Sequence, residues 1–175
     1  MVLVEAEQVA RQLKETHAHL QVCVGAQATV QQVKADMADC DILHFACHGL
    51  FRHDNPLFSS LQLHDDKLTA ADAVRLKLNG ALVTLGACES GRSEVIAGDE
   101  MLGLPRAFLG AGASSVLVSL WLVHDETTAA FMQSWYAHIQ QGQPRAQALR
   151  AVQRAIKSQR PHPYYWAPFV LMGQR

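Results

Sequence analysis

Two residues of this chain have the type and placement for covalent chemistry, Cys88 and His48. Each stands at the end of a short uncharged run. Leu82-Val83-Thr84-Leu85-Gly86-Ala87 leads into Cys88-Glu89-Ser90-Gly91, and Ile42-Leu43-His44-Phe45-Ala46-Cys47 leads into His48-Gly49. A thiol becomes a good nucleophile near neutral pH when a neighbour such as imidazole helps it lose its proton. Runs of this composition read as buried strands of an α/β sheet, and open parallel sheets present their ligand sites at the carboxyl ends of the strands. If the two strands are neighbours, His48 and Cys88 meet at one edge. The small residues Gly86, Ser90 and Gly91 would then let a substrate backbone approach the sulfur closely.

Other residues compete for these roles and fit them less well. The chain has nine histidines, and His48 is the one followed by glycine at the end of an apolar run. His44 lies inside that run and reads as a hydrogen-bonded core histidine. His44, Cys47 and His48 together resemble a ligand spacing for zinc. Alternation along a strand argues against it, because Cys47 points away from the face of His48 and no second Cys/His pair of matching spacing occurs.

Composition narrows the classes. A chain of 175 residues is long enough for one domain with a sizeable core. Its formal net charge is −1, so it lacks the clustered basic footprint of a nucleic-acid binder. The four cysteines, Cys23, Cys40, Cys47 and Cys88, show neither disulfide nor metal regularity, which suits a reducing compartment. The uncharged stretch from Ala107 to Val123 is interrupted by Gly110, Gly112, Ser114 and Ser115 and is shorter than the roughly 20 apolar residues of a membrane span. Met1-Val2-Leu3-Val4 is too short for a signal peptide and has no basic leader. A cytoplasmic location is expected, with no membrane and no nucleic acid among the partners.

The elements that must position the two residues follow from periodicity. A helix is expected from Glu5 to about His17, with Ala6, Val9, Ala10 and Leu13 on one face, and a short strand from Leu20 to Val24. Thr29-x-x-Gln32 has the form of a capping box and opens a helix with Val30, Val33 and Met37 on its stripe. Leu57, Leu61 and Leu63 suggest a small hairpin outside the main sheet. Thr69-x-x-Asp72 caps a helix that ends near Lys77, before Asn79-Gly80. After the Cys88 strand, Gly91 to Gly98 reads as a loop over the site, and Asp99 as the cap of a helix to about Leu109. A strand from Ser115 to Leu122, a helix from Asp125 through Gln140, a helix begun by Pro144 and a last strand from Trp166 to Met172 complete the chain. Strands alternating with helices predict a mostly parallel sheet covered on both faces, a three-layer α/β/α sandwich. The last strand is a candidate sheet edge.

The sequence around the two residues resembles the caspase-like cysteine peptidases, the group of caspases, legumain and separase, and within it the CHAT family, whose domains are usually attached to tetratricopeptide repeats. The likeness runs from about Glu5 to Gly173. It rests on His48-Gly49, Asn55-Pro56-Leu57, Ala87-Cys88-Glu89-Ser90-Gly91, Gly103-Leu104-Pro105-Arg106-Ala107-Phe108-Leu109, Trp121 to Asp125, and His162-Pro163-Tyr164-Tyr165-Trp166, in that family's order. The resemblance implies a caspase-like fold with Cys88 as nucleophile and His48 assisting thiolate formation or protonating the leaving amine. The backbone N–H groups of Gly49 and Cys88 would stabilise the developing oxyanion. It also implies a strand before the first helix. Only Met1 to Val4 could supply one, so a truncated first strand is expected, and with it a single domain over residues 1–175 cut from a longer chain with an upstream sensor or repeat region.

The same resemblance bears on substrate choice. Trp121-Leu122-Val123-His124-Asp125 is similar to the separase segment Trp-x-Val-Thr-Asp, which leads into the acids that hold a basic P1 side chain. Asp125 matches the first acid and also suits a plain helix cap, whereas the acid credited with gripping arginine corresponds to Ala129. Asp99 matches an acidic position of CHAT loops. A basic P1 is therefore not supported, and a neutral or apolar P1 fits as well. The expected function is a cysteine endopeptidase that hydrolyses a specific protein substrate through an acyl-enzyme, with no cofactor or metal. The rival readings are a catalytically silent caspase-like interaction module and, behind it, a thiol acyltransferase.

Overall fold

The computed structural model describes residues 2–16, 19–52, 54–86, 103–121 and 125–174. In chain order the helices are α1 Val2–Lys14, α2 Val30–Asp36, α3 Ala70–Ala73, α4 Leu104–Gly110, α5 Asp125–Gln140, α6 Arg145–Gln159 and α7 Pro163–Trp166. The strands are β1 Ile42–Phe45, β2 Gly49–Leu50, β3 Ser60–Gln62, β4 Lys67–Thr69, β5 Leu82–Leu85, β6 Ser115–Ser119 and β7 Phe169–Gly173. The main sheet has the order β1-β5-β6-β7, with the first three strands parallel and β7 antiparallel to β6. Strands β2, β3 and β4 form a separate antiparallel sheet, the expected hairpin extended by one strand.

Alternation along the strands sorts their side chains into two cores. Phe45, Val83, Leu85, Val116 and Val118 face a cluster completed by Leu104, Ala107 and Phe108 of α4, with Leu61 and Leu68 of the small sheet. Leu82, Leu117 and Phe169 face the other cluster, filled by Val9 and Leu13 of α1, by Phe131, Met132, Trp135 and Tyr136 of α5, and by Leu149 and Val152 of α6. The result is the expected three-layer α/β/α sandwich with a mostly parallel sheet. Helices α1 and α5 are further stitched by Gln12 Nε2 donating to the Gln133 carbonyl at 3.0 Å and Gln140 Nε2 donating to the Gln12 carbonyl at 2.8 Å.

Several local expectations are corrected. Val2 to Val4 belong to α1, so they supply no truncated strand, and the helix ends at Lys14 rather than His17. Leu20 to Val24 forms no strand: among the described residues it has no ladder partner, and a groove of about 810 Å3 lies between it and β1. The Thr29 box closes only halfway. Thr29 Oγ1 accepts from the Gln32 N–H at 3.1 Å, but the Gln32 side chain turns to Asp36 at 2.6 Å instead of back to the cap. The Thr69 box closes on both sides with Asp72, though the helix behind it stops at Ala73. The last strand begins at Phe169, because Pro163–Trp166 forms a helical turn capped by His162 Nδ1, which accepts from the Tyr164 N–H at 3.2 Å. Its place at the end of the strand order makes β7 an edge, as expected.

Candidate active site

The strands that lead to His48 and Cys88 are parallel neighbours. Phe45 is the register partner of Leu85, and the Gly86 N–H donates to the Phe45 carbonyl at 3.0 Å, which carries the ladder one residue beyond the strand. His48 follows Phe45 by three positions and Cys88 follows Leu85 by three. Cys88 itself, with Asp99, lies outside the described residues, and so does the stretch read as a loop from Gly91 to Gly98.

His48 is exposed, and its backbone is held from the small sheet, where the Gln62 N–H donates to the His48 carbonyl at 2.8 Å. That bond makes the next cross-strand pair, Gly49 with Leu61, a non-hydrogen-bonded one, so the antiparallel ladder turns the Gly49 N–H away from β3. Gly49 is buried, and a Cβ there would meet the Phe51 ring at 3.4 Å, tight but not forbidding. Packing alone therefore does not demand glycine at this position.

Cys47 takes the opposite side. It packs against the apolar cluster, and burial, reinforced by the nearby Glu5 charge, pushes its thiol up to about 12. At neutral pH Cys47 is a protonated core residue, not a rival nucleophile. His44 turns to the other face of the sheet, toward α1 and α5, while His48 is exposed, so His44, Cys47 and His48 do not converge on one point.

His44 is the hydrogen-bonded core histidine expected, but its surroundings are richer than that. Its Nδ1 lies 3.0 Å from the Tyr136 hydroxyl, and that hydroxyl donates to Thr84 Oγ1 at 2.9 Å. Because Tyr136 spends its one proton on Thr84, His44 Nδ1 carries the hydrogen between them. On its other side, His44 Nε2 stands 3.2 Å from Glu5 Oε1, close enough for an ion pair though not aligned as a hydrogen bond. Tyr136 and Thr84 are fully buried and Glu5 is 6% exposed. Burial raises the Tyr136 hydroxyl well above its ordinary range. The Glu5 carboxylate lies against Gly86, where an added Cβ would run into Oε1. Sequence reasoning missed Glu5, Thr84 and Tyr136. The available signals were Glu5 standing four residues before Val9 on the buried stripe of α1, and a threonine inside an otherwise aliphatic run.

The remaining motifs form the rim. Gly103 packs against Pro56 and Ser59, where a Cβ would come within 2.7 Å of the Pro56 carbonyl, so two separated motifs meet at the start of α4. Ser59 Oγ also accepts from the Arg52 N–H at 3.1 Å, which fixes the chain after Gly49. At the carboxyl end of β6, Trp121 Nε1 donates to the Tyr164 carbonyl at 3.2 Å and joins that segment to α7. Asp125 is the first residue of α5, and its side chain lies outside the described residues. Ala129 is half-buried in the second turn of the same helix.

Comparison with known proteins agrees with this architecture. The chain matches the model of the CHAT domain over residues 1–174. It is 31% identical to tetratricopeptide repeat protein 28 of Homo sapiens over 193 aligned residues, which cover 87% of this chain and 8% of that protein. The Mus musculus protein of the same name is 28% identical over 193 residues, with the same coverage. The chain thus spans less than a tenth of the length of these relatives. Among the described residues, no helix is long and apolar enough to cross a membrane.

Proposed function

The chain belongs to the CHAT domain family, whose fold is caspase-like, and from that premise we propose that it is a cysteine endopeptidase acting through His48 and Cys88. The observation that carries the reading is the parallel pairing of β1 with β5, in a register that sets the two residues equally far beyond one cross-strand pair. In the proposed reaction the imidazole of His48 takes the Cys88 thiol proton, and the thiolate attacks the carbonyl carbon of the scissile peptide. The N–H groups of Gly49 and Cys88 receive the oxyanion. Collapse of the adduct breaks the C–N bond, His48 returns its proton to the leaving amine, and a thioester remains on Cys88. Water, losing a proton to His48, then adds to the thioester carbonyl; the C–S bond breaks, the acyl fragment leaves as a carboxylic acid, and His48 returns the proton to the Cys88 sulfur.

The proposal extends to the substrate and to control. Asp99 and Asp125 are the acids offered to the substrate pocket, and Ala129 leaves a third position neutral, so a neutral or apolar P1 side chain is expected to serve as well as a basic one. The relatives are named for tetratricopeptide repeats and are far longer than this chain. We therefore place this domain within a longer polypeptide, with an upstream repeat region as sensor and a specific protein as substrate. A cytoplasmic setting suits the free thiols, and the chemistry calls for no cofactor.

The test is intact mass after incubation with peptide acyloxymethyl ketones varied at P1, on wild type, Cys88→Ala and His48→Ala. A single adduct on wild type alone supports the dyad, and the preferred P1 assigns Asp125 and Ala129. Adducts that survive Cys88→Ala overturn the nucleophile. Absence of any adduct on wild type favours the silent interaction module.

A further inference from the structure

The polar chain beneath β1 and β5 takes no part in the proposed chemistry. On the opposite face the same two strands contribute Phe45, Val83 and Leu85 to an apolar cluster. Buried ionic and polar sets can often be replaced by apolar groups of similar shape at no loss of stability, so the presence of one here is weak evidence for a stabilising role. We propose that Glu5, His44, Tyr136 and Thr84 form a positioning network for the reaction, fixing how the chain leaves β1 and β5 and so where His48 and Cys88 stand. The inference rests on the peptidase reading for the identity of the reacting pair.

The geometry supports it at three points. His44 and Thr84 are cross-strand register partners, and one hydroxyl, that of Tyr136, contacts both, at 3.0 and 2.9 Å. Helix α5 therefore clamps the two strands together one residue before their last pair. Glu5 reaches the same histidine from α1 and lies against Gly86, two residues short of Cys88. The two helices that supply these groups are themselves joined through Gln12 and Gln140. Glu5 thus meets His44 on one side of the ring and Tyr136 meets it on the other, with Cys47 across the strand, and removal of any link loosens the exit of one strand relative to the other. Misplacement of reacting groups by about 1 Å can cost roughly a hundredfold in rate.

The experiment measures the rate of iodoacetamide alkylation at each cysteine from pH 6 to 10, by peptide mass mapping, on the 175-residue chain and on Tyr136→Phe, Glu5→Gln and Thr84→Val. The expected result is a Cys88 rate at neutral pH lowered by about tenfold to a hundredfold, with its pH midpoint moved upward, while the Cys23 rate stays at the wild-type value. A variant that only loosened the fold would instead raise the rates of Cys40 and Cys47. Unchanged Cys88 profiles in variants that remain folded overturn the inference, and three separate substitutions guard against one that fails to fold. Ketone labelling separates the two proposals. Labelled wild type with unshifted variants removes the network and keeps the peptidase, whereas unlabelled wild type with shifted variants removes the peptidase and keeps the network.

Discussion

The two faces of the main sheet are built on different principles. One is apolar throughout the contribution of β1 and β5, with Phe45 and Phe108 rings 5.7 Å apart at its centre. The other is apolar around the stacked Phe131 and Phe169 rings but changes character toward β1, where the buried Glu5, Tyr136 and Thr84 surround a partly buried His44. Tyr136 and Thr84 are as far from water as Val83 and Phe108 of the apolar face, so burial does not explain the difference. Position does. The polar set lies under the strand ends that lead to His48 and Cys88, and the contrast teaches that one face holds the domain together while the other also orients it.

The sharpest way to break this comparison is to damage the apolar face. Phe108 is fully buried, and Phe108→Ala is expected to cost about 3–5 kcal/mol of stability. Denaturant titration measures the loss, and Cys88 alkylation below the unfolding transition should keep its wild-type rate. A rate that fell with stability would erase the distinction between the faces. A smaller stability effect is expected on the polar face. Tyr136→Phe removes a hydroxyl that serves two partners and should cost about 1–2 kcal/mol, read in the same titration. A loss as large as that of Phe108→Ala would mean that the polar set holds the domain together after all.

The effect that is smallest at neutral pH concerns Cys47, which faces the apolar cluster yet feels Glu5 across the strand. Its folded thiol lies at about 12 against an ordinary value of 9.0, so between these limits the unfolded chain has lost a proton that the folded one keeps. Stability is therefore complete below about pH 9 and falls as the pH rises toward 12. Cys47→Ala should leave the melting temperature near its wild-type value at pH 7 and flatten the decline measured from pH 9 to 11. An unchanged alkaline limb would place the titration elsewhere.

The legible parts of the fold were those that depend on one segment at a time. The strands that lead to His48 and Cys88 were readable as uncharged runs, whereas their adjacency was a hypothesis that only the pairing of β1 with β5 could decide. Thr69 and Asp72 could be paired on sight because both halves of their box lie within one turn. The Thr29 box misled, since Asp36 competes for Gln32 one turn further on. Leu20 to Val24 has the composition of a strand, but a strand requires a partner, and among the described residues it pairs with none. The polar network was illegible for the same reason in stronger form. Glu5, His44, Thr84 and Tyr136 come from four elements, and no local pattern ties a glutamate on α1 to a tyrosine 131 positions later on α5.

The three tryptophans turn this asymmetry into an optical property. Trp135 is fully buried in the core between α5 and the sheet, whereas Trp121 and Trp166 are half-buried, Trp121 at the carboxyl end of β6 and Trp166 under the Lys157 ammonium 4.8 Å from its ring centre. Iodide can thus quench the emission of the outer pair while the blue-shifted light of Trp135 persists. The domain carries one fluorophore that reports on its core and two that report on its half-buried surface, with no dye attached.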